Sequence, residues 1–246
     1  MIVANLATFP PRKQHLFRVV DRIAPQVDVL NVVLNEYDEV PPELGKHSNV
    51  KCILPPENLR DLGKFYPDTK GCDFLFCIDD DILYPENFVK TAITQLKSAQ
   101  DRNAVGGYHG SIYRKMGAST SLKKIRAAFS RSKNLVNNRK VFMFWDALEE
   151  IVIVDQIGSG TILMQGEHVP PFEFMQGSLK FVDVRLARWC YEQNIRMLCL
   201  PREKDWLQKL PVETSIYQDF TINTPTAVLQ EIKTFAFKVS EWEKWD

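Results

Sequence analysis

Hydrophobic and polar positions divide the chain into short apolar runs and helical stripes. Residues 2–7 form an apolar run of strand length, and the Thr-Phe-Pro-Pro-Arg segment 8–12 breaks it as a loop. Leu16, Val19, Val20 and Ile23 then recur at helical spacing. Residues 27–34 and 50–54 read as a second and a third strand. The order strand, helix, strand, strand predicts an α/β domain with a largely parallel sheet. Ligands of such sheets bind at the carboxyl ends of strands. Three strand ends here carry polar clusters, at residues 8–12, 35–37 and 79–81.

The last of these clusters closes the sharpest pattern in the chain, Phe-Leu-Phe-Cys-Ile-Asp-Asp-Asp-Ile-Leu-Tyr-Pro at residues 74–85. An apolar run this short reads as a strand buried on both faces. Unpaired carboxylates are too costly to bury, so Asp79, Asp80 and Asp81 lie outside the core. Two readings remain open. The acids form a solvated turn, or they surround a hard divalent ion that arrives with a substrate phosphate. Alternation along an extended chain turns Asp79 and Asp81 one way and Asp80 the other, or sends Asp80 to a substrate.

Further along, Pro85 suits a first helical turn, with Phe88, Val89, Ala92, Ile93 and Leu96 as the buried face. Residues 104–107 read as a strand closed by Tyr108, His109 and Gly110, and 141–145 and 150–155 are strand-like. Residues 158–164 read as a Gly-led strand whose Gly158 and Gly160 admit a close backbone or ligand. Val182, Leu186, Trp189 and Cys190 stripe a helix over 181–191, with Asp183 in its first turn, where the dipole favours a carboxylate. Residues 195–200 are a last strand and 201–207 a loop. Val228, Ile232, Phe235, Val239 and Trp242 mark an amphipathic C-terminal helix, a pattern more often core than membrane anchor. The Asn-Leu-Arg-Asp-Leu-Gly-Lys-Phe-Tyr segment 58–66 reads either as a ligand-facing loop or as a helix start capped by Asn58 or Asp61.

Composition narrows the classes. The 246 residues suffice for one large α/β domain or two small ones. Net charge is zero, so no global field points to nucleic acid or membrane. No apolar run reaches a membrane span of about 20 residues. The first residues lack a signal-peptide pattern. Five cysteines without CxxC spacing fit a reducing compartment and argue against zinc. The expectation is a cytoplasmic protein, with peripheral contact at the inner membrane face left open. No acid occurs between Asp101 and Asp146, an interval holding ten Lys and Arg residues. Its centre, the basic flap 114–140, reads as a solvated surface, an anion-facing flap over a phosphate-bearing substrate, or a contact for anionic lipid headgroups. A helical turn and a half falls near 122–129. Nucleic acid is unsupported, because the cations lack a series of interleaved aromatics and the chain as a whole is neutral.

Taken in order, these motifs resemble GT-A glycosyltransferases of the bacterial family-2-like kind. The strand ending Ile78-Asp79-Asp80-Asp81-Ile82 with Tyr84-Pro85 resembles their DxD metal site. The segment from Ala4 to Arg12 resembles the first strand and nucleotide-holding loop. Asn58 to Lys64 resembles the segment at base and diphosphate. Gly158 to Thr161 resembles the acceptor-side strand, Phe181-Val182-Asp183 the acidic pair with the catalytic base, and Arg202 to Leu207 a loop near the diphosphate. One acid of that pair is Val182 here, and the basic segment has no clear counterpart.

The resemblance implies a GT-A fold over 1–210, with a mostly parallel sheet flanked by helices. Its nucleotide half would be 1–105 and its acceptor half 106–210, followed by a C-terminal extension at 211–246. It implies inverting transfer of a sugar from a nucleoside diphosphate sugar, a UDP-sugar foremost, to a glycan or glycolipid hydroxyl in bacterial surface polysaccharide synthesis. Donor-site residues would be Ala7, Thr8, Phe9, Pro10, Arg12, Asn35, Asn58, Asp61, Lys64, Asp79, Asp80 and Arg202. Asp79 and Asp81 would hold Mn²⁺ or Mg²⁺, and Asp183 would be the base. His109, Gly158, Gly160 and Trp206 would meet the acceptor, with Trp145 and Asp146 as further candidates. Two rivals stand beside this reading. One is a nucleotidyltransferase that makes a nucleotide sugar, against which the glycine-free loop 8–12 counts. The other is a non-catalytic carbohydrate-binding module on a similar fold.

Overall fold

The computed structural model describes residues 1–114, 136, 138–211 and 224–238. Most of the basic segment, including the turn at 122–129, lies outside the described residues, as do Val239 and Trp242. The strands are β1 (Ile2–Thr8), β2 (Val29–Leu34), β3 (Val50–Ile53), β4 (Phe74–Ile78), β5 (Ile82–Leu83), β6 (Ala104–Gly107) and β7 (Gly110–Tyr113). They continue as β8 (Arg139–Phe142), β9 (Val152–Ile153), β10 (Gln156–Ile157), β11 (Thr161–Gln165), β12 (Arg196–Cys199) and β13 (Gln208–Lys209). The α-helices are α1 (Lys13–Ile23), α2 (Phe88–Ser98), α3 (Phe172–Met175), α4 (Val182–Glu192) and α5 (Thr226–Phe235).

The main sheet has eight strands in the order β3-β2-β1-β4-β11-β6-β12-β9. Strands β1 to β4 are mutually parallel. β11 runs against both β4 and β6, and β12 follows β6. β9 is reversed at the edge. The sheet is therefore mostly parallel, with one reversed strand in its interior. The chain starts at β1, builds outward to β2 and β3, then crosses to β4 on the other side of β1. That reversal of direction makes a crevice at the carboxyl ends of β1 and β4.

Both faces of the sheet are covered, which is why its strands read as unbroken apolar runs. Leu6, Phe76 and Ile78 join Leu16, Val20 and Ile23 of α1 and Phe88 and Val89 of α2 in one buried layer. Val3, Leu75 and Cys77 join Val182, Leu186 and Cys190 of α4 and Val228, Ile232 and Phe235 of α5 in the other. A bidentate pair between Arg185 and Glu231, at 2.7 and 2.8 Å, fixes α5 on α4.

Several expectations are corrected. β8 begins and ends ahead of the expected 141–145, because its pairing is set by β7. The 150–155 run shrinks to the two-residue edge strand β9. The Gly-led strand begins only at Thr161, and Gly158 and Gly160 lie in the turn before it. α2 begins at Phe88, leaving Pro85 in the preceding turn, where its carbonyl accepts the Phe88 N–H. In α4, Trp189 is half-buried while Val184 and Ala187 are buried. The expected helix start at 58–66 is a 3-10 helix, Arg60–Phe65, whose N-cap is Leu59 without a side-chain cap.

Candidate functional site

A cavity of about 290 Å³ opens at the crevice between β1 and β4. Its walls come from the ends of three parallel strands and from the 3-10 helix: Ala7, Thr8, Phe9 and Arg12, Asn35 and Glu36, Asn58, Arg60, Asp61 and Lys64, Asp79 and Asp80, with Lys180 at the rim. Of the twelve expected donor-site residues, all but Pro10 and Arg202 line it.

The acids are sorted by what reaches them. Asp80 is 2% exposed, and both of its oxygens are engaged. Thr8 Oγ1 donates to one at 2.6 Å and Arg12 Nη1 to the other at 2.6 Å. Asp80 therefore neither points away nor stays available, and instead ties the loop after β1 to the end of β4. Arg12 Nη1 also lies 3.2 Å from Asp81, and Lys64 pairs with Asp79. Burial pushes the Asp80 carboxyl up, against the pull of Arg12. Burial, with the Asp79 charge beside it, pushes Asp81 up to about 6. Burial pulls the Arg12 guanidinium down, but the three carboxylates outweigh it and the net direction is up.

This pattern sets what a divalent ion would find. Asp79 and Asp81 keep 35% and 21% of their side chains exposed, whereas the Asp80 oxygens are spent. Among the described residues no three His, Cys, Asp or Glu side chains form a metal cage. Two partly exposed carboxylates fit Mg²⁺ or Mn²⁺ only when substrate oxygens complete the shell, which is how Mg²⁺ is commonly held.

Lys64, expected beside a diphosphate, lines the cavity with only 3% of its surface exposed. Its Nζ faces Asp79 and, at 3.1 Å, Ser159 Oγ. Burial lowers the affinity of that ammonium for its proton, and Asp79 more than restores it, so the net direction is up. The helix carrying Lys64 is bolted to the sheet by a buried amide relay. Asn31 Nδ2 donates to Asn5 Oδ1 and Asn5 Nδ2 to the Lys64 carbonyl, both at 2.8 Å. Gly63 lets this helix close on β1 and β2, because an added Cβ would sit 3.1 Å from Ala7 and Val33.

The outer wall is held by backbone contacts. Asn35 accepts the Leu59 N–H at 2.8 Å and donates to the Arg60 carbonyl at 3.2 Å. Asn58 donates to Glu36 and accepts the Arg60 N–H. Asp61 accepts the Lys180 N–H at 2.8 Å, and burial pushes its carboxyl up to about 6. Glu36, Arg60 and Lys180 all have positive φ, at 59°, 48° and 71°. Three such non-glycine residues on one cavity mark stored backbone strain of the kind that gathers at ligand sites. Sequence reading had Glu36 and Arg60 only inside the polar segments 35–37 and 58–64, and missed Lys180 altogether, since few residue types outside Gly, Asn and Asp signal positive φ.

A second group adjoins Asp79 from the other side. Gly160 lies under Asp79, and a Cβ there would fall on the carboxylate. The Ser159 N–H donates to Asp183 Oδ1 at 2.8 Å, so the first turn of α4 presents Asp183 beside the Lys64–Asp79 pair. The Gly158 N–H donates to the His109 carbonyl at 2.7 Å, and the imidazole lies 6.1 Å from the Phe144 ring. Burial pushes His109 down to about 4, against the pull of Asp183, so the ring is neutral at pH 7. Asp183, His109, Gly158 and Gly160 thus come together next to the cavity without lining it.

Three expected site residues fall elsewhere. Arg202 is buried and donates to the Leu200 carbonyl at 3.0 Å and the Met143 carbonyl at 2.5 Å, tying two loops together. Trp206 packs 5.0 Å from Tyr108 and 6.0 Å from Phe88, inside an aromatic cluster. Pro10 opens a short 3-10 turn and does not line the cavity.

The sequence matches no family model and no curated protein. Similar solved structures include S. aureus TarS 1–349, at 10% identity over 82% of this chain and 58% of that one, with a TM-score of 0.47. The same protein in complex with UDP-GlcNAc is similar at 8% identity over 88% of this chain and 60% of that one, also with a TM-score of 0.47. A mannose-6-phosphate isomerase from Helicobacter pylori is similar at 16% identity, covering 82% and 86% of the two chains, with a TM-score of 0.40. The chain spans less than two thirds of the TarS structures. At these scores no chemistry transfers from them to this chain.

Proposed function

We propose that the chain is a GT-A-type glycosyltransferase. It would move a sugar from a nucleoside diphosphate sugar, a UDP-sugar foremost, to a hydroxyl of a glycan or glycolipid acceptor, with inversion, in the cytoplasm and for bacterial surface glycan synthesis. One observation carries the reading. Four segments distant in sequence bring Thr8, Arg12, Asn35, Asn58, Asp61, Lys64, Asp79 and Asp80 to one cavity at the crevice where α/β sheets bind nucleotides.

In this reading Ala7, Thr8, Phe9, Asn35, Asn58 and Asp61 form the walls around the nucleoside. Arg12 and Lys64 hold fixed positive charge near the leaving diphosphate. A Mn²⁺ or Mg²⁺ ion held by Asp81 and Asp79 would supply Lewis-acid neutralisation of that group. The acceptor oxygen bonds to the anomeric carbon, the bond from that carbon to the diphosphate breaks, and the diphosphate leaves with the electron pair. The acceptor proton passes to Asp183, whose other oxygen is held by the Ser159 N–H. His109, neutral and close by, would orient the acceptor.

A thermal-shift screen of nucleoside mono- and diphosphates, with and without Mn²⁺, tests the reading. The expected result is one nucleoside diphosphate that raises the melting temperature with metal by more than either component alone. A ligand at a hundred times its Kd adds about 2.7 kcal/mol. No shift with any nucleotide would overturn the reading.

A further inference from the structure

β4 and β11 pair antiparallel up to Ile78 opposite Thr161. One step further Asp79 faces Gly160, and here the ladder is interrupted by a side chain. The Tyr84 hydroxyl accepts the Asp79 N–H at 2.9 Å and donates to the Gly160 carbonyl at 2.5 Å. A phenol oxygen thus stands where a direct backbone bond would otherwise close the two strands. We propose that Tyr84 is a positioning residue, a side-chain rung that holds the ends of β4 and β11 apart and so sets the spacing between Asp79 and Asp183. The proposal rests on the glycosyltransferase reading for its consequence in catalysis, though not for its geometry.

Two observations support it. The Tyr84 ring is 1% exposed and packs 4.7 Å from Phe88, so the hydroxyl arrives on a rigid support. Both groups it joins belong to the site. The Asp79 carboxylate rests over Gly160, and the next peptide N–H, from Ser159, holds Asp183. Core packing alone accounts for the ring, since phenylalanine would fill the same space. It does not account for a hydroxyl bonded on both sides to the ends of two strands.

Tyr84→Phe removes that oxygen and little else. Two readouts are expected. Amide hydrogen exchange at Asp79 accelerates at least about tenfold, because the Tyr84 hydroxyl is the acceptor for that N–H. With a donor and acceptor in hand, kcat falls about 10²-fold while KM for the donor stays within about twofold, the mark of lost alignment rather than lost binding. Leu96→Ala serves as the control: it opens the same buried layer at the far end of α2 from the Tyr84 ring, and is expected to lower the melting temperature while kcat stays within about twofold. Unchanged Asp79 exchange in Tyr84→Phe overturns the proposal, whatever the protein's activity. A wild-type kcat in Tyr84→Phe overturns it too, as does a kcat loss in Leu96→Ala equal to that of Tyr84→Phe. If wild-type protein turns over no nucleotide sugar, the functional reading fails, and the exchange measurement still decides whether Tyr84 is the rung.

Discussion

An ammonium buried as deeply as that of Lys64 is tolerated only with oxygens facing it, and here they belong to Asp79 and Ser159. Lys64→Met removes the charge and keeps most of the volume. It leaves Asp79 beside Asp80 and Asp81 without its counter-ion. Because Asp79 keeps some solvent contact, a loss of about 1–3 kcal/mol is expected, below the full cost of breaking a wholly buried pair, and urea unfolding measures it.

Asp61 gives the opposite case. Burial raises its carboxyl to about 6 in the folded chain, against about 3.9 unfolded. The folded state therefore holds the proton more tightly. Stability from this group is fully present below pH ~4 and is lost as pH rises through about 6. Asp61→Asn removes that dependence, keeps an oxygen for the Lys180 N–H, and is expected to raise stability at pH 7.5 by roughly 1–3 kcal/mol and to flatten the profile between pH 4 and 6. The candidate residues were legible here because cations, acids and amides stood at strand ends. Their partners were not. Nothing in the string Asp79-Asp80-Asp81 says that the middle acid is consumed by Thr8 and Arg12 while its neighbours keep solvent contact.

Among the elements, the turn before β11 does the most to assemble the site. Gly160 admits the Asp79 carboxylate, so Gly160→Ala is expected to push that side chain off Lys64 and abolish donor turnover. The expected loss of stability is about 1–3 kcal/mol, measurable by thermal unfolding. Asn5→Ala leaves Asn31 Nδ2 and the Lys64 carbonyl without their buried partner and is expected to cost about 1–3 kcal/mol in urea unfolding. Runs buried on both faces were readable from sequence because β1, β2 and β4 need no alternation. The short elements were misjudged for a physical reason. β8, β9 and β10 exist only through their pairing with β7 and β12, and pairing between distant segments leaves no local period. Tyr84 was noted only as part of the motif after the acids, and the role of its hydroxyl was not legible on the same ground, since it acts on two distant backbones.

At the scale of the molecule, the fold class followed from the order of apolar runs, and the site from where a parallel sheet reverses direction. Arg202 and Trp206 were assigned to that site by resemblance alone. Their loop turns inward to bind carbonyls and aromatic rings, and a loop's direction is decided by packing that the string does not contain. The central claim is that the cavity at β1 and β4 cleaves a nucleoside diphosphate sugar with the help of Asp81. The direct measurement is release of nucleoside diphosphate from a panel of nucleotide sugars with Mn²⁺ or Mg²⁺, by wild-type protein and by Asp81→Ala. Release from one donor by wild type, reduced at least about 10²-fold in Asp81→Ala, is the predicted result. Equal release by the two proteins, or none from any donor by wild type, would contradict it.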